Sequence, residues 1–257
     1  MKRVVKIGGR AQNDPALAGA IAAVISAGDC VCLVHGGGDE VSSLQRRLGM
    51  EPTFLGGRRV TSPEDLEVVR MVLSGATNKR LVAQLISAGV RAVGISGEDA
   101  NLFHAHITEP QMGQVGGRVE VDASIIAHLT DGGYVPVVSP LARDANEDAG
   151  RGLNVNGDDA AAALAAAFGA DDLVLIADVP GVLEDSRLIP TLDLDTAADL
   201  VRRGIVTGGM AAKLEAAAHA LRLGVACVRI ASVAGISTST SGTRVVLAPA
   251  GSPSSLR

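Results

Sequence analysis

The sequence predicts an α/β protein with a mostly parallel central sheet that is covered by helices on both faces. Short runs rich in β-branched residues alternate with longer segments of helical periodicity, and most of the short runs are apolar throughout. Strands buried on both faces have this pattern. Hydrophobic residues make up 47% of the chain and aromatic residues only 2%, so the core must be aliphatic. The predicted strands are residues 4–7, 30–34, 92–95, 135–138, 173–177 and 226–230.

Helices are predicted between these strands, and the clearest one begins at Ser62. Ser62 is the expected N-cap, Pro63 takes the first helical position, and Asp65 can return the capping hydrogen bond. We expect this helix to end near Gly75. A second helix is predicted from about residue 78 to Gly89, a residue type that often ends helices. A third is predicted over residues 158–169, which are almost all alanine.

The remaining segments are predicted from looser patterns. Residues 102–121 form short alternating pieces separated by glycines, which favours one or two hairpins projecting from the sheet. Asn154 and Asn156 lie two apart in a predicted extended segment, so they share a face. Asp158 follows them and has two open interpretations. It is either the N-cap of the alanine-rich helix or an acid that holds two cationic groups in position.

Composition and charge exclude several classes of function. A net charge of −5 argues against a broad polyanion-binding surface, and the few aromatic rings argue against nucleic-acid binding by stacking. The chain lacks an apolar stretch long enough to span a bilayer. Its three cysteines, Cys30, Cys32 and Cys227, form no CxxC pair, which favours a reducing compartment. We therefore expect a soluble cytoplasmic protein without nucleic-acid or membrane partners.

Three predicted strand-to-helix junctions are rich in glycine: residues 6–9, 35–38 and 207–210. Such junctions place backbone N–H groups where open parallel sheets bind ligands, although each one alone also fits a tight turn. The P-loop and dinucleotide-binding fingerprints are both missing. Lys6 at a strand end and Lys213, predicted in the first turn of a helix, are therefore the candidate phosphate-binding groups. Taken singly, lysines of this kind are more often solvated charges.

Seven motifs follow one another along nearly the whole chain, and together they resemble those of acetylglutamate kinases in the amino acid kinase family. They are Lys-Ile-Gly-Gly (6–9), His-Gly-Gly-Gly (35–38), Gly-Arg-Arg-Val-Thr (57–61), Asn-Val-Asn-Gly-Asp (154–158), Asp-Val-Pro-Gly-Val-Leu (178–183), Gly-Gly-Met-Ala-Ala-Lys (208–213) and Gly-Thr-Arg-Val (242–245). Each motif is weak alone, but their common order makes chance agreement a poor explanation.

The resemblance implies a three-layer αβα sandwich with two lobes that divide near Ala170. Residues 1–170 would bind the acyl-amino acid and form a homodimer, and residues 171–257 would bind ATP. Carried over by position, Lys6 and Lys213 would stabilise the transferring phosphoryl group and Asp158 would orient them, with backbone N–H groups given by Gly8, Gly9 and Gly37. The implied substrate-binding residues are Gly37, Gly38, Arg59, Asn154 and Asn156. The implied nucleotide-binding residues are Asp178, Val179, Pro180, Gly181, Val182, Leu183, Ile205, Val206, Thr207, Gly208, Gly209 and Met210.

The implied reaction is the ATP- and Mg²⁺-dependent phosphorylation of the γ-carboxylate of N-acetyl-L-glutamate in arginine biosynthesis. A carboxylate is already ionised at neutral pH, so this reaction needs positioning and charge neutralisation more than a general base. We predict no metal ligands from the protein itself. The alternatives left open are a kinase of acetylaminoadipate, a kinase of carrier-linked aminoadipate or glutamate, and a non-catalytic binding relative.

Three features of the sequence depart from the family pattern. Arg10 follows the first glycine pair, where a small or apolar residue is expected. Arg58 beside Arg59 makes the residue that clamps the substrate α-carboxylate ambiguous, and we favour Arg59 because it directly precedes Val60-Thr61. The first strand begins within a few residues of Met1, whereas arginine-inhibited members resemble one another in an extra helix before it. We therefore expect no feedback inhibition by arginine.

Overall fold

The computed structural model describes residues 1–146 and 151–247 and confirms the predicted α/β class. The strands are β1 Lys2–Ile7, β2 Cys30–His35, β3 Phe54–Leu55, β4 Arg58–Arg59, β5 Ala92–Ser96, β6 Phe103–Ile107, β7 Val115–Val121, β8 Val135–Ser139, β9 Leu141–Asp144, β10 Gly152–Val155, β11 Asp172–Ile176, β12 Leu183–Glu184, β13 Arg187–Leu188, β14 Thr191–Asp193, β15 Cys227–Ala231 and β16 Thr243–Val246. The helices are α1 Leu17–Ser26, α2 Gly38–Arg47, α3 Pro63–Arg70, α4 Asn78–Ser87, α5 Ser124–Asp131, α6 Gly157–Phe168, α7 Leu194–Arg202 and α8 Gly208–Arg222.

An eight-stranded sheet in the order β14-β16-β15-β11-β1-β2-β8-β5 forms the middle layer. Its strands run parallel from β15 to β5, and β16 pairs antiparallel with β15. The chain first extends the sheet from β1 to one side, through β2, and later returns to the other side at β11. Strand order therefore reverses between β1 and β11, which is where open α/β sheets place their ligand crevice.

Helices cover both faces of the sheet, so the predicted three-layer arrangement is confirmed. Neighbouring residues of β1 point to opposite faces, and Val4 and Val5 accordingly enter two different cores. The core around Val4 packs against α5, α6 and α8, whereas the core around Val5 packs against α1 and α4. Within the described ranges, the helices are too short or too polar to cross a membrane.

The helix predicted to begin at Ser62 does so, but its predicted end at Gly75 is wrong. The Ser62 hydroxyl accepts a hydrogen bond from the Asp65 N–H, and the Asp65 carboxylate accepts one from the Ser62 N–H. The chain then continues through a π-helical segment, Met71–Thr77, directly into α4. A glycine weakens a helix without having to end it, and this wider turn brings Leu73 and Thr77 against the glycine turn at Gly37.

The predicted hairpin projecting from the sheet exists as β6 and β7, but it is part of a larger unit. These strands close with β9 and β10 into a four-stranded barrel, in which β7 and β10 run parallel. The closure needs a small residue at Gly116, because a Cβ there would lie 2.5 Å from the Ala105 Cβ. The barrel delivers β10, which leads directly into α6.

A buried ionic network lies among the strands that flank β1. Asp172 accepts a hydrogen bond of 3.0 Å from Arg3 and two of 3.1 and 2.7 Å from Arg229. All three side chains are buried, and Arg229 is only 1% exposed. Arg229 also donates to the carbonyl oxygens of the loop after β15, those of Gly235, Thr238 and Ser241. Asp172 thus compensates both buried arginines, and Asp29 adds a second carboxylate 3.0 Å from Arg3.

Replacing Asp172 with asparagine should lower the free energy of unfolding by about 3–5 kcal/mol, because the buried Arg229 loses its counter-charge and Arg3 keeps only Asp29. Urea denaturation followed by circular dichroism measures this change. The matched control is Asp199→Asn, which breaks exposed pairs to Arg202 and Arg203 and should cost less than about 1 kcal/mol. Equal losses in the two variants would contradict a special contribution from the buried network.

Candidate active site

Lys6 lies near the carboxyl end of β1, in the middle of the sheet. It pairs in register with Val34 of β2 and Leu175 of β11, so its side chain emerges beside the crevice where strand order reverses. The residue is only 7% exposed. Its ammonium group lies 3.1 Å from Oδ1 of Asp158. A buried lysine of this kind requires an anionic partner, and Asp158 supplies it.

Asp158 is held in place by the start of α6. The predicted alternative that Asp158 caps this helix is wrong, because Asn156 is the N-cap. The Asn156 side-chain oxygen accepts hydrogen bonds from the N–H groups of Asp158 at 2.8 Å and Asp159 at 3.3 Å. Because Asn156 caps the helix, the Asp158 carboxylate can form ion pairs. This is the second of its two predicted roles.

Lys213 reaches the same carboxylate from α8. Its ammonium group lies 3.2 Å from Oδ1 and 3.3 Å from Oδ2 of Asp158. The prediction that Lys213 occupies the first turn of its helix is wrong, since α8 begins at Gly208 and Lys213 is therefore in the second turn. The contact with Asp158, and not the helix dipole, accounts for its position. We call Lys6, Asp158 and Lys213 the lysine cluster.

Burial and charge shift the pKa values in the lysine cluster. Burial and the neighbouring Lys6 charge lower the pKa of Lys213, while Asp158 opposes this shift. Burial raises the pKa of Asp158, but the charges of Lys6 and Lys213 outweigh it and hold that pKa below its usual range. The carboxylate therefore stays ionised and leaves the cluster with an excess positive charge. Such a site attracts an anion.

A cleft of about 450 Å³ opens in front of the lysine cluster. We call it the large cleft. Ten predicted residues line it: Lys6, Gly8, Gly9, Gly38, Asp158, Asp178, Val179, Gly209, Met210 and Lys213. Arg10, flagged as a departure, lies at its mouth and pairs with Asp178 at 3.3 Å. The volume of the large cleft falls within the range of about 300–1,000 Å³ typical of pockets for drug-sized ligands.

A second cavity of about 210 Å³, the small cavity, adjoins the large cleft. All five predicted substrate-binding residues line it, namely Gly37, Gly38, Arg59, Asn154 and Asn156. Gly38 lines both cavities, which places them side by side. The apolar part of the lining comes from several elements and carries no sequence signal of its own: Val41, Phe54, Val69, Leu73, Val115, Pro140 and Val155.

Arg59 is buried in the wall of the small cavity. Its guanidinium donates to the Gln45 side-chain oxygen, to the Gly38 carbonyl at 2.8 Å and to the Ser42 hydroxyl at 2.7 Å. These bonds use three of the five N–H donors of an arginine and fix the orientation of its plane. Arg58 also lines the cavity but is paired with Asp159 at 3.0 Å. Both arginines therefore line the small cavity, and the lining alone does not decide which of them would bind the substrate carboxylate.

The glycine turn between β2 and α2 is supported by His35. A carbonyl can only accept, so Nδ1 of His35 donates to Gly36 O at 2.9 Å, and Nε2 accepts from the Asn78 amide at 3.1 Å. Burial lowers the pKa of His35 to about 4, so the ring is neutral. Gly37 has a φ of +154°, and a Cβ there would lie 2.7 Å from Leu73 Cδ2. The turn therefore requires glycine at residue 37.

The predicted nucleotide-binding residues do not all face the large cleft. The side chains of Val182 and Val206 lie in the hydrophobic core, so these residues shape their loops from below. The Val182 N–H donates to the Thr243 hydroxyl at 2.8 Å, and a Cβ on Gly181 would lie 2.6 Å from the same hydroxyl. The motifs at residues 178–183 and 242–245 thus form one structural unit. This contact could not be predicted from the sequence, because the two motifs lie about 60 residues apart.

Comparisons with known proteins identify the family of the chain. A sequence model of the amino acid kinase family matches residues 1–232. The chain is 38% identical over 237 residues to an acetylglutamate kinase of Chloroflexus aurantiacus, covering 91% of this chain and 92% of the relative. It is 50% identical over 203 residues to an acetylglutamate kinase of Methanopyrus kandleri, covering 75% and 81%. The chain therefore belongs to the amino acid kinase family, and the predicted resemblance to acetylglutamate kinases is confirmed.

Solved structures support the fold. The crystal structure of smu.665 from Streptococcus mutans UA159 superposes with a TM-score of 0.86 at 27% identity, covering 96% of this chain and 99% of that one. Carbamate kinase from Giardia lamblia bound to AMP-PNP gives a TM-score of 0.73 at 18% identity, covering 96% and 98%. The second likeness concerns the fold alone.

Asp158→Asn should lower the free energy of unfolding at pH 7, because it leaves two buried ammonium groups uncompensated. The pKa of Asp158 is lower in the folded chain than its ordinary value of 3.8. The ionised carboxylate thus adds stability above that value and loses it as the pH falls through the folded pKa. Denaturant titrations at several pH values should therefore show the two proteins converging below about pH 4. A difference that stays constant from neutral to acid pH would contradict this account.

Proposed function

We propose that the protein is an N-acetyl-L-glutamate kinase that transfers the γ-phosphoryl group of ATP to the γ-carboxylate, giving N-acetylglutamyl 5-phosphate in arginine biosynthesis. The observation that carries the proposal is the position of the lysine cluster in the large cleft, beside a small cavity that contains a buried arginine. Two anionic substrates that must meet at one phosphorus atom need this arrangement. The names of its relatives support the same reaction.

In the proposed mechanism the protein neutralises charge and positions the reactants. Lys6 and Lys213 bind the oxygens of the phosphoryl group in transfer, where negative charge is spread over the equatorial positions. Asp158 holds both ammonium groups at a fixed separation. The acceptor carboxylate is ionised at neutral pH, so the reaction requires no general base. The neutral, buried His35 accordingly serves the structure of the glycine turn.

The small cavity is the proposed site of the acyl-amino acid. At about 210 Å³ it lies below the range of about 300–1,000 Å³ typical of pockets for drug-sized ligands, which suits a small substrate. Arg59 is held by three hydrogen bonds, which leave its Nε–H and one Nη1–H to donate charge-assisted hydrogen bonds to a carboxylate. We assign it the α-carboxylate, with Asn154 and the backbone of Gly37 and Gly38 completing the site.

The large cleft is the proposed site of ATP. Gly8 and Gly9 follow β1, and Gly209 lies in the first turn of α8. Glycine backbone therefore lines the large cleft on two sides, where the ATP phosphates are proposed to bind. Asp178 and Val179 line the same cleft after β11. Mg²⁺ would be held mainly by the nucleotide phosphates, as is usual for this ion, and would neutralise part of their charge. In this proposal residues 1–170 carry the acyl-amino acid and residues 171–257 the nucleotide.

Lys213→Ala should lower kcat for ADP release by roughly 10²- to 10³-fold, because a charge that stabilises the transferring group is lost. The KM for N-acetyl-L-glutamate should change little, since Lys213 lies outside the lining of the small cavity. The matched control is Lys79→Ala, a lysine of α4 that lines neither cavity. Omitting MgCl₂ should abolish turnover in every variant.

A panel of four acids distinguishes the candidate phosphoryl acceptors. N-acetyl-L-glutamate should be turned over, and N-acetyl-L-aminoadipate, glutamate and aspartate should not. Preference for the longer acetylated acid would move the protein to acetylaminoadipate phosphorylation. Silence of the wild-type protein with every acid in the panel would refute the proposed function.

We also propose that the protein is a cytoplasmic homodimer. Met71 and Ile86 are more than half exposed on the helical segment that runs from α3 to α4, and burying them in an interface would stabilise association. The three cysteines are free, in keeping with a reducing compartment. Sedimentation equilibrium should give twice the mass of the chain, and Met71→Glu should shift the distribution towards monomer. A monomer at micromolar wild-type concentration would contradict the proposal.

A further inference from the structure

Arg58 separates two cavities. It lines the small cavity, and it also lines a third cavity of about 590 Å³ on the outer side of α6, which we call the outer groove. The outer groove is formed between the barrel strand β7 and helices α6 and α8, and it is lined by Arg58, Thr108, Gly117, Arg118, Val119, Glu120, Asp159, Ala163, His219 and Leu223. The small cavity ends where the outer groove begins.

An ion pair is formed by Arg58, the residue that lines both cavities. The Arg58 guanidinium lies 3.0 Å from Oδ2 of Asp159, and it reaches from the β3–β4 hairpin across to α6. Neighbouring residues of a strand point to opposite faces, so Arg59 turns inward to α2 while Arg58 turns towards α6. The Arg58 side chain is 38% exposed, and pairs of this kind add little to folding stability. The Arg58–Asp159 pair is therefore of interest for where it lies between the cavities, and not for its contribution to folding stability.

The hairpin that carries Arg58 has little support of its own. Each of its strands is only two residues long, and its turn consists of Gly56 and Gly57 with φ values of +56° and +79°. Its two arginines tie it to the rest of the protein, Arg59 to α2 and Arg58 to α6. Losing the Arg58 contact would free the α6 side of the hairpin and join the small cavity to the outer groove.

We infer that the Arg58–Asp159 ion pair limits the length of the N-acyl group that the enzyme accepts. This inference rests on the proposed function. The γ-carboxylate of the substrate is assigned to the lysine cluster and the α-carboxylate to Arg59. The N-acyl group is the one part of the substrate that no charged side chain holds, so it is the part that can vary in length. With the ion pair in place it must fit a cavity of about 210 Å³. Without the pair, a longer chain can extend into the outer groove.

The test compares ADP release with N-acetyl-, N-butyryl- and N-hexanoyl-L-glutamate. In Arg58→Leu, the ratio of kcat/KM for the hexanoyl substrate to kcat/KM for the acetyl substrate should rise by roughly tenfold or more, because the added methylene groups can pack against the apolar part of the outer groove, Val119, Ala163 and Leu223. Arg58→Lys retains a charge that can pair with Asp159 and should keep a ratio close to that of the wild type. The matched control is Arg118→Leu, which changes another arginine of the outer groove whose partner is Glu120. It should leave the ratio unchanged.

The outcomes separate this inference from the proposed function. An unchanged ratio in Arg58→Leu, together with continued turnover of N-acetyl-L-glutamate, overturns the role of the ion pair and leaves the function standing. A wild-type protein that is silent with all three acyl-glutamates overturns both. If thermal denaturation shows that Arg58→Leu does not fold, Asp159→Ala removes the acceptor of the same pair from the other side and is held to the same expected rise.

Discussion

The site depends on one carboxylate, that of Asp158, placed between two ammonium groups. Lys6 and Lys213 each approach it within 3.3 Å, and all three side chains are largely buried. Two like charges at this depth repel strongly, because the protein interior screens charge poorly. The carboxylate makes their burial possible but neutralises only one of them. The remaining positive charge gives the cleft its affinity for an anion, so the same imbalance that costs folding stability supplies the proposed chemistry.

Three elements must meet for this cluster to form, and their packing explains the unusual composition of the helices. Lys6 comes from the middle of the sheet, Asp158 from α6 and Lys213 from α8. The residues of α6 between Ala160 and Ala165 are all buried, and α8 contributes the buried residues Ala216, Ala217 and Ala220. Small side chains allow α6 and α8 to approach each other closely, because the distance between packed helices is set by the side chains at the contact. Larger side chains there would move Lys213 away from Asp158.

The buried ionic network of Arg3, Asp172 and Arg229 lies towards the other end of β1 and serves a different purpose. Arg3, Asp172 and Arg229 fill their hydrogen bonds within the protein, including carbonyl oxygens of the loop after β15. Among the described residues, the ammonium groups of the lysine cluster have Asp158 as their acceptor, and the cluster opens into a cleft. A buried charge is compatible with a stable fold where the protein supplies all of its partners. Where a partner must come from a ligand, the same kind of charge forms part of a binding site.

The elements that have a local sequence signal could be predicted without the structure. Apolar runs located the central strands, and Ser62 with Asp65 located a helix start, because these patterns act over a few residues. Motif order gave the family. The tertiary structure alone decided the continuation of the helix through Gly75, the closed barrel, the capping role of Asn156 and the contact of Arg58 with Asp159. The cap by Asn156 is a local contact, but Asn and Asp are equally common N-caps, so the sequence does not distinguish Asn156 from Asp158. The barrel and the Arg58–Asp159 pair, like the contact of Lys213 with Asp158, join groups that are distant in sequence, and only the packing of whole elements sets the distances between them.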